Sequence, residues 1–234
     1  MMDLPKPDDI VGMSFWLITM ATLALAVFMF AERRRLAPRW QTVITLVAVA
    51  ALITGVSYLR LSQGWAATGA VATASRFADW QLTVPLLVLS FHFLLVATSQ
   101  PSPALFWRLL VSSAVLVAAG YLGAANFISP TLGFLVGLAG GLYILGELYL
   151  GEAGRLISAS DNKKLQSTYN ALRLIVTIGW AIYPLAYFME YLGGGVDGAS
   201  INLIYNLADF LNRIAFCLVI YHLAAGETAR EVRR

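Results

Sequence analysis

Charge is what this sequence has least of. Only 12% of its 234 residues are Asp, Glu, Lys or Arg, about half the share of a soluble globular domain. That scarcity excludes an ordinary water-soluble fold. A single cysteine, Cys217, excludes an internal disulfide, and its place in an apolar run suits a small buried side chain. Lysine is rarer than arginine: the only three, Lys6, Lys163 and Lys164, fall outside the apolar segments, so no ammonium is expected within them. Neither a metal site nor an enzymatic activity is expected.

Apolar residues are what the chain has in excess, at 59% with a mean hydropathy of +0.73. Seven apolar segments, at roughly 10–31, 40–61, 77–98, 103–124, 129–150, 167–191 and 201–224, each approach the ~20 residues that span a bilayer as a helix. The expected fold is all-α, a seven-transmembrane helix bundle in a lipid bilayer. Arginine and lysine cluster in the first loop (Arg33, Arg34, Arg35, Arg39), the fifth (Arg155, Lys163, Lys164) and the tail (Arg230, Arg233, Arg234). All three clusters lie on one side, which the positive-inside rule makes cytoplasmic, leaving the amino terminus outside and the carboxyl terminus inside. The net charge of +3 therefore reads as topology and headgroup contact, and no nucleic-acid partner is implied. A cleavable signal peptide is not expected, because the first apolar segment is full length, follows Asp8 and Asp9, and stops at three arginines.

Connections are short apart from 62–75, 151–166 and the glycine-rich 193–200, so residues 1–234 are expected to form one domain without an internal repeat. Glycines 133, 137, 140 and 141 share one side of the fifth segment, a pattern of close helix packing or of an opening in a cavity wall.

The informative charges sit in the third and seventh segments. In the third, offsets of 3, 4, 7, 11 and 14 from Arg76 place Asp79, Trp80, Thr83, Leu87 and Ser90 on one helical face. Ionisable groups at membrane depth are costly and point either to function or to a structural ion pair. In the sixth, Trp180, Tyr183 and Tyr187 are set around Pro184; proline in a helix removes one N–H and is expected to leave an unpaired carbonyl and a bend. An aromatic stripe of this kind is by itself ordinary core. In the seventh, Asp209 and Arg213 are i, i+4 neighbours in Tyr205-Asn-Leu-Ala-Asp209-Phe-Leu-Asn-Arg213.

Taken together, the run Arg76-x-x-Asp79-Trp80-x-x-Thr83-x-Pro85, the run Trp180-x-x-Tyr183-Pro184 and the last segment resemble the microbial (type 1) rhodopsins, and the proteorhodopsin-like proton-pump branch in particular. Phe15-Trp16-Leu17, Glu147-Leu-Tyr149 and Tyr169-Asn170-Ala171 extend the resemblance over essentially the whole chain. The resemblance implies a retinal pocket walled by Trp80, Leu87, Trp180, Tyr183, Pro184 and Tyr187. It makes Asp79 the proton acceptor and counterion, with Asp209 as the second counterion. Thr83 becomes the acceptor's hydrogen-bonding neighbour and Arg76 the outer gate. An apolar residue at Leu87 goes with green rather than blue absorption. It also implies a bacterial inner (plasma) membrane, a pentamer or hexamer, and a second carotenoid pigment in some members. Ser90 stands where familiar pumps carry a cytoplasmic carboxylate donor, eleven residues and about 16 Å of helix from the acceptor. The Asp-Thr-Ser triplet resembles a pump subgroup that works without that carboxylate, and it argues against chloride and sodium pumps. His92, two residues on, points away from this face. Arg60 replaces a histidine that many proteorhodopsins pair with the acceptor.

The decisive departure is Arg213, which occupies the Schiff-base position, that of the family's retinal-binding lysine. A guanidinium stays protonated and is a poor nucleophile, so no covalent retinal and no pumping are expected. Arg213 and Arg76 against Asp79 and Asp209 nevertheless sum to zero, the charge of a resting pump, and a guanidinium bridge from Arg213 to Asp79, Asp209 or both is expected. Three readings stand: a pump-derived protein without covalent retinal, with pumping restored by Arg213→Lys; a sensor, carrier or photoreceptor holding retinal or a carotenoid noncovalently; and a structural heptahelical protein.

Overall fold

Serine followed by proline opens two of the membrane-spanning helices, and the reason is visible in their first turns. A helix starts with N–H groups that lack partners, and proline at the first position has none to lose. In a computed structural model, which describes residues 8–233, Ser102 accepts from the Leu105 N–H ahead of Pro103, and Ser129 from the Leu132 N–H ahead of Pro130. Asp9, Asn162 and Asp197 cap three further helices in the same way. The elements are α1 (Ile10–Arg33), α2 (Pro38–Thr68), α3 (Thr73–Val96), α4 (Pro103–Ala124), α5 (Pro130–Tyr149), the short α6 (Glu152–Ser158), α7 (Lys163–Leu174), a π-helical turn (Ile175–Gly179), α8 (Ile182–Tyr191) and α9 (Gly198–Val232). Seven helical spans are long and apolar enough to cross a bilayer, with α7, the π turn and α8 together forming the sixth.

Neighbours in sequence are neighbours in space. Each of the first five helices packs on the next, α5 meets α8, and α9 closes the ring against α1 and α2. Large apolar side chains such as Leu17, Val27, Val111, Leu135, Ile178 and Leu211 face outward, as a lipid solvent requires, while the polar side chains Asp79, Thr83, Asn206, Asp209 and Arg213 are buried. Lys163 and Lys164 open α7 at the end of the bundle where α9 finishes; Lys6 lies outside the described residues.

The second helix runs further than its composition predicts. Residues 62–68, expected to belong to the connection 62–75, continue α2, and α2 ends at Gly69 in the left-handed region (φ 67°). A tertiary contact overrides the weak local propensity: the Trp65 indole donates to the Asp9 carboxylate at 2.8 Å and its ring packs near Phe15. Among the other spans α4 matches 103–124, α5 lies within 129–150, α3 begins and ends earlier than 77–98, and α9 continues past 224 to Val232.

The sixth span also departs from expectation. Pro184 removes the N–H that would bond the Trp180 carbonyl, but that carbonyl is not left unpaired, because the Tyr183 N–H moves onto it at 3.1 Å. The carbonyl released in turn, Gly179, accepts from the Asn212 side chain on α9 at 2.8 Å. One turn earlier the Trp180 N–H reaches back five residues to Ile175, the π-helical register. Both carbonyls displaced around Pro184 thus find donors, and the second ties the sixth span to α9.

The glycines of α5 are a packing seam. A Cβ at Gly133 would lie 2.7 Å from the Ala119 carbonyl oxygen of α4, and one at Gly140 would lie 3.0 Å from that of Ser112. Gly146 on the same helix has nothing within 4 Å of such a Cβ. Gly133→Leu is expected to destabilise the bundle by about 1–3 kcal/mol, while Gly146→Ala is neutral or stabilising by about 0.5–1 kcal/mol. Thermal melting of the two purified variants checks this, and equal melting temperatures would contradict the seam.

Candidate functional site

Four polar residues of α9, Asn202, Asn206, Asp209 and Arg213, recur at helical spacing and form one buried stripe. Opposite them α3 presents Arg76 and Asp79, and α2 presents Thr54 and Tyr58. The guanidinium of Arg213 lies between the two aspartates. Its Nε donates to Asp209 Oδ1 at 2.9 Å and its Nη2 to Asp79 Oδ2 at 3.0 Å. The expected bridge therefore reaches both carboxylates and ties α3 to α9. Charge-assisted pairs of this kind are strong only when the remaining lone pairs are also bonded. Tyr58 and Tyr183 supply Asp209, at 2.5 and 2.8 Å, and Thr54 lies 3.4 Å from Asp79 Oδ1.

Arg76 is arranged differently from the simple quartet that the sequence suggests. It touches neither aspartate. Its Nη1 donates to the Tyr58 hydroxyl at 2.9 Å, and its Nη2 to Asn202 Oδ1 and Asn206 Oδ1 at 2.6 and 2.7 Å. Phe15, Tyr58 and Tyr205 surround its charge with aromatic faces. Tyr58 is the joint: through it Asp209 and Arg76 share one hydrogen-bonded chain, which continues by Asn206 to Ser14 at 2.8 Å. That chain runs from Arg213, deep in the bundle, toward the end at which α1 and α9 begin.

Beside Arg213 is a cavity of about 300 Å³, at the lower bound of the ~300–1,000 Å³ usual for small-molecule sites. All six residues expected in a pocket wall, Trp80, Leu87, Trp180, Tyr183, Pro184 and Tyr187, line it. So do Gly133, Gly137 and Gly141, so part of the glycine seam also forms cavity wall. A Cβ at Gly120 would lie 2.7 Å from the Phe77 ring, which keeps that wall close to α3. The lining is mostly apolar and aromatic, and Arg213 is its one charged residue.

The remaining predicted positions are placed as follows. Thr83 is adjacent to Asp79, but its hydroxyl donates to the Asp79 main-chain carbonyl at 3.1 Å. Ser90 is fully buried, bonded back to Leu86, and set among Leu87, Phe91 and Leu94. His92 packs edge-on against Phe93 and Phe106, away from Asp79. Arg60 is exposed on the outside of α2, and Thr54 is the α2 side chain that reaches Asp79.

Sequence reasoning missed Tyr58, Thr54, Asn202 and Asn206. The asparagines were legible as one stripe with Asp209 and Arg213; Tyr58 gave no such signal. A second charged group also went unread, although its charges stand inside or beside apolar segments. Arg108 on α4 donates to Glu147 at 3.2 Å and to Glu152 at 2.7 Å, and Glu147 caps α6 through the Glu152 N–H.

Comparison with known proteins agrees with this architecture. The profile described as bacteriorhodopsin-like protein matches residues 9–227. The chain is 42% identical over 227 residues to the blue-light absorbing proteorhodopsin of Gamma-proteobacterium Hot 75m4, covering 95% of this chain and 89% of that one. It is 41% identical over 226 residues to the green-light absorbing proteorhodopsin of Gamma-proteobacterium EBAC31A08, with the same coverage. The crystal structure of the blue light-absorbing proteorhodopsin from Med12 superposes with a TM-score of 0.79 at 35% identity, over 94% of this chain and all of that one. The chain belongs to the bacteriorhodopsin-like family, as a proteorhodopsin-like, seven-span protein of the bacterial plasma membrane.

Proposed function

We propose that this chain is a microbial rhodopsin built on a light-driven outward proton-pump scaffold that neither binds retinal covalently nor pumps. The observation that carries this reading is Arg213, bonded to both Asp79 and Asp209 at the inner end of the cavity. In this family retinal, once bound, supplies the light-driven change of shape; the residues here bear on what surrounds it. Asp79 and Asp209 are the acceptor and second counterion of the scaffold, and Arg76 with Tyr58 is its outer gate. Trp80, Trp180, Tyr183 and Tyr187 orient a polyene, and Leu87 sets its absorption toward green. A proton moves only between groups that can exchange it, and a guanidinium cannot give one up at neutral pH. Arg213 therefore holds the resting charge balance permanently. Ser90, hydrogen-bonded to its own helix in an apolar layer, cannot return a proton from the cytoplasmic side. The Asp-Thr-Ser triplet, the sidedness set by the positive clusters, a pentameric or hexameric assembly and a carotenoid contact at the α5 glycines belong to the same proposal.

A second reading, a noncovalent sensor or carrier, is favoured by one observation. The cavity persists beside Arg213 and is not filled by larger side chains.

Arg213→Lys with added all-trans retinal is expected to give a coloured protein that acidifies the medium in light, with a slow reprotonation phase. A flash-photolysis and pH-electrode measurement tests this, and a colourless lysine variant would contradict an intact pocket. Arg213→Met leaves two buried aspartates without their partner and is expected to cost about 3–5 kcal/mol. Its thermal unfolding in detergent should fall well below that of Arg213→Lys; coincident transitions would show that the bridge contributes nothing.

A further inference from the structure

Arg173 is a charge that the rest of the bundle leaves alone. Arg35, Arg39, Arg108, Arg213 and Arg230 each meet a carboxylate. Arg173, half-buried on α7 in the sixth span, meets none among the described residues, and its guanidinium donates to no protein acceptor there. Its charge lies instead over the Tyr149 ring at the end of α5, with the guanidinium carbon 4.4 Å from the ring centre. That ring is itself held in place. The Tyr149 hydroxyl lies 3.0 Å from Thr177 Oγ1, and the Thr177 hydroxyl donates to the Arg173 carbonyl at 2.7 Å. A guanidinium stacked on an aromatic face has its charge partly compensated, while its N–H edge stays free to grip an anion from the side.

A second guanidinium without a carboxylate stands at the same end of α5. Arg155 on α6 gives one nitrogen to the carbonyl of Leu150, the residue after Tyr149, at 3.1 Å and is otherwise exposed. Depth in the membrane narrows what these two cations meet. Measured from the opposite ends of their spans, Pro130 and Tyr191, Tyr149 and Arg173 lie about 27–28 Å along the helix at ~1.5 Å per residue. A hydrocarbon core is ~30 Å thick, so both stand where lipid phosphates begin. Large apolar side chains flank them on the outer surface, Leu150 at 79% exposed and Leu174 at 53%. The seam between α5 and the sixth span continues from there toward the bilayer centre, past the exposed Leu142 and Ala181.

We propose that Arg173, stacked on Tyr149 and joined by Arg155, binds the phosphate of an anionic phospholipid, with one acyl chain lying along the seam between α5 and the sixth span. Two cations with no carboxylate select a head group of net negative charge, because the ammonium of a zwitterionic head group meets like charge. The apolar seam favours a lipid over a soluble anion, which has no chain to bury there. The site is on the outside of the bundle and is independent of what the cavity holds.

Native mass spectrometry of the full chain in neutral detergent, titrated with phosphatidylglycerol or phosphatidylcholine of the same acyl chains, tests this. One phosphatidylglycerol is expected to bind about tenfold or more tighter than phosphatidylcholine, each guanidinium contributing about fivefold. Arg173→Gln is expected to lower the phosphatidylglycerol affinity about fivefold and to leave phosphatidylcholine unchanged, and the double variant Arg173→Gln, Arg155→Gln to abolish the preference. Arg34→Gln removes an exposed arginine just after α1 and is expected to leave the preference intact, which separates a built site from general attraction to positive charge. Equal affinity of the native protein for the two lipids, an equal loss in Arg34→Gln, or a preference that survives the double variant would each overturn the proposal. Displacement of phosphatidylglycerol by millimolar inorganic phosphate would assign the site to a soluble anion. A change of oligomer mass in Arg173→Gln without a change in lipid binding would assign it to a carboxylate of a second copy. Either result refutes the lipid assignment.

Discussion

The bridge from Arg213 to Asp79 and Asp209 is the contact on which the interior of this bundle depends. Two charged carboxylates on different helices are not buried together without a cation between them, because each ion taken from water costs several kcal/mol even after relaxation. A planar guanidinium suits this position because its fork donates in two directions at once, whereas an ammonium is a compact point charge. The outer parts of the polar interior are arranged around that fork. Tyr58 and Tyr183 complete the hydrogen bonding of Asp209, and Tyr58 passes the connection to Arg76, which is held by Asn202 and Asn206. The result is a charge-balanced chain in which both aspartates accept hydrogen bonds from side chains of other helices.

The same position explains why the cavity and the bridge coexist. Arg213 spends its hydrogen-bonding capacity sideways, toward α3 and its own helix, while its side chain also lines the cavity. The walls are held by separate means. The glycine seam brings α4 and α5 into backbone contact, and Asn212 fixes the interrupted sixth span to α9 through the Gly179 carbonyl. A side chain at Gly179 would collide with Asn212, so this tie requires glycine. The shape of the slot therefore does not depend on a covalent ligand.

Much of this was legible from residue order. The seven spans follow from apolar length. The face of α3 that carries Arg76, Asp79, Thr83 and Leu87 follows from helical periodicity. What was not legible depended on partners far away in sequence. Residues 62–68 look like a loop by composition and are helical because Trp65 reaches Asp9. Pro184 announced a bend but not the shifted pairing that satisfies Trp180 and Gly179. Tyr58, an unremarkable tyrosine in an apolar helix, links the two charged centres only once α2, α3 and α9 are packed together.

The central claim is that Arg213 keeps both aspartates charged inside the membrane. Infrared spectroscopy of the native protein at neutral pH, compared with Asp79→Asn and Asp209→Asn, tests it most directly. The account predicts no carbonyl stretch from a protonated carboxylic acid that disappears in either variant. A protonated-carboxyl band lost on replacing Asp79 or Asp209 would show that one of them is neutral, and would contradict the account.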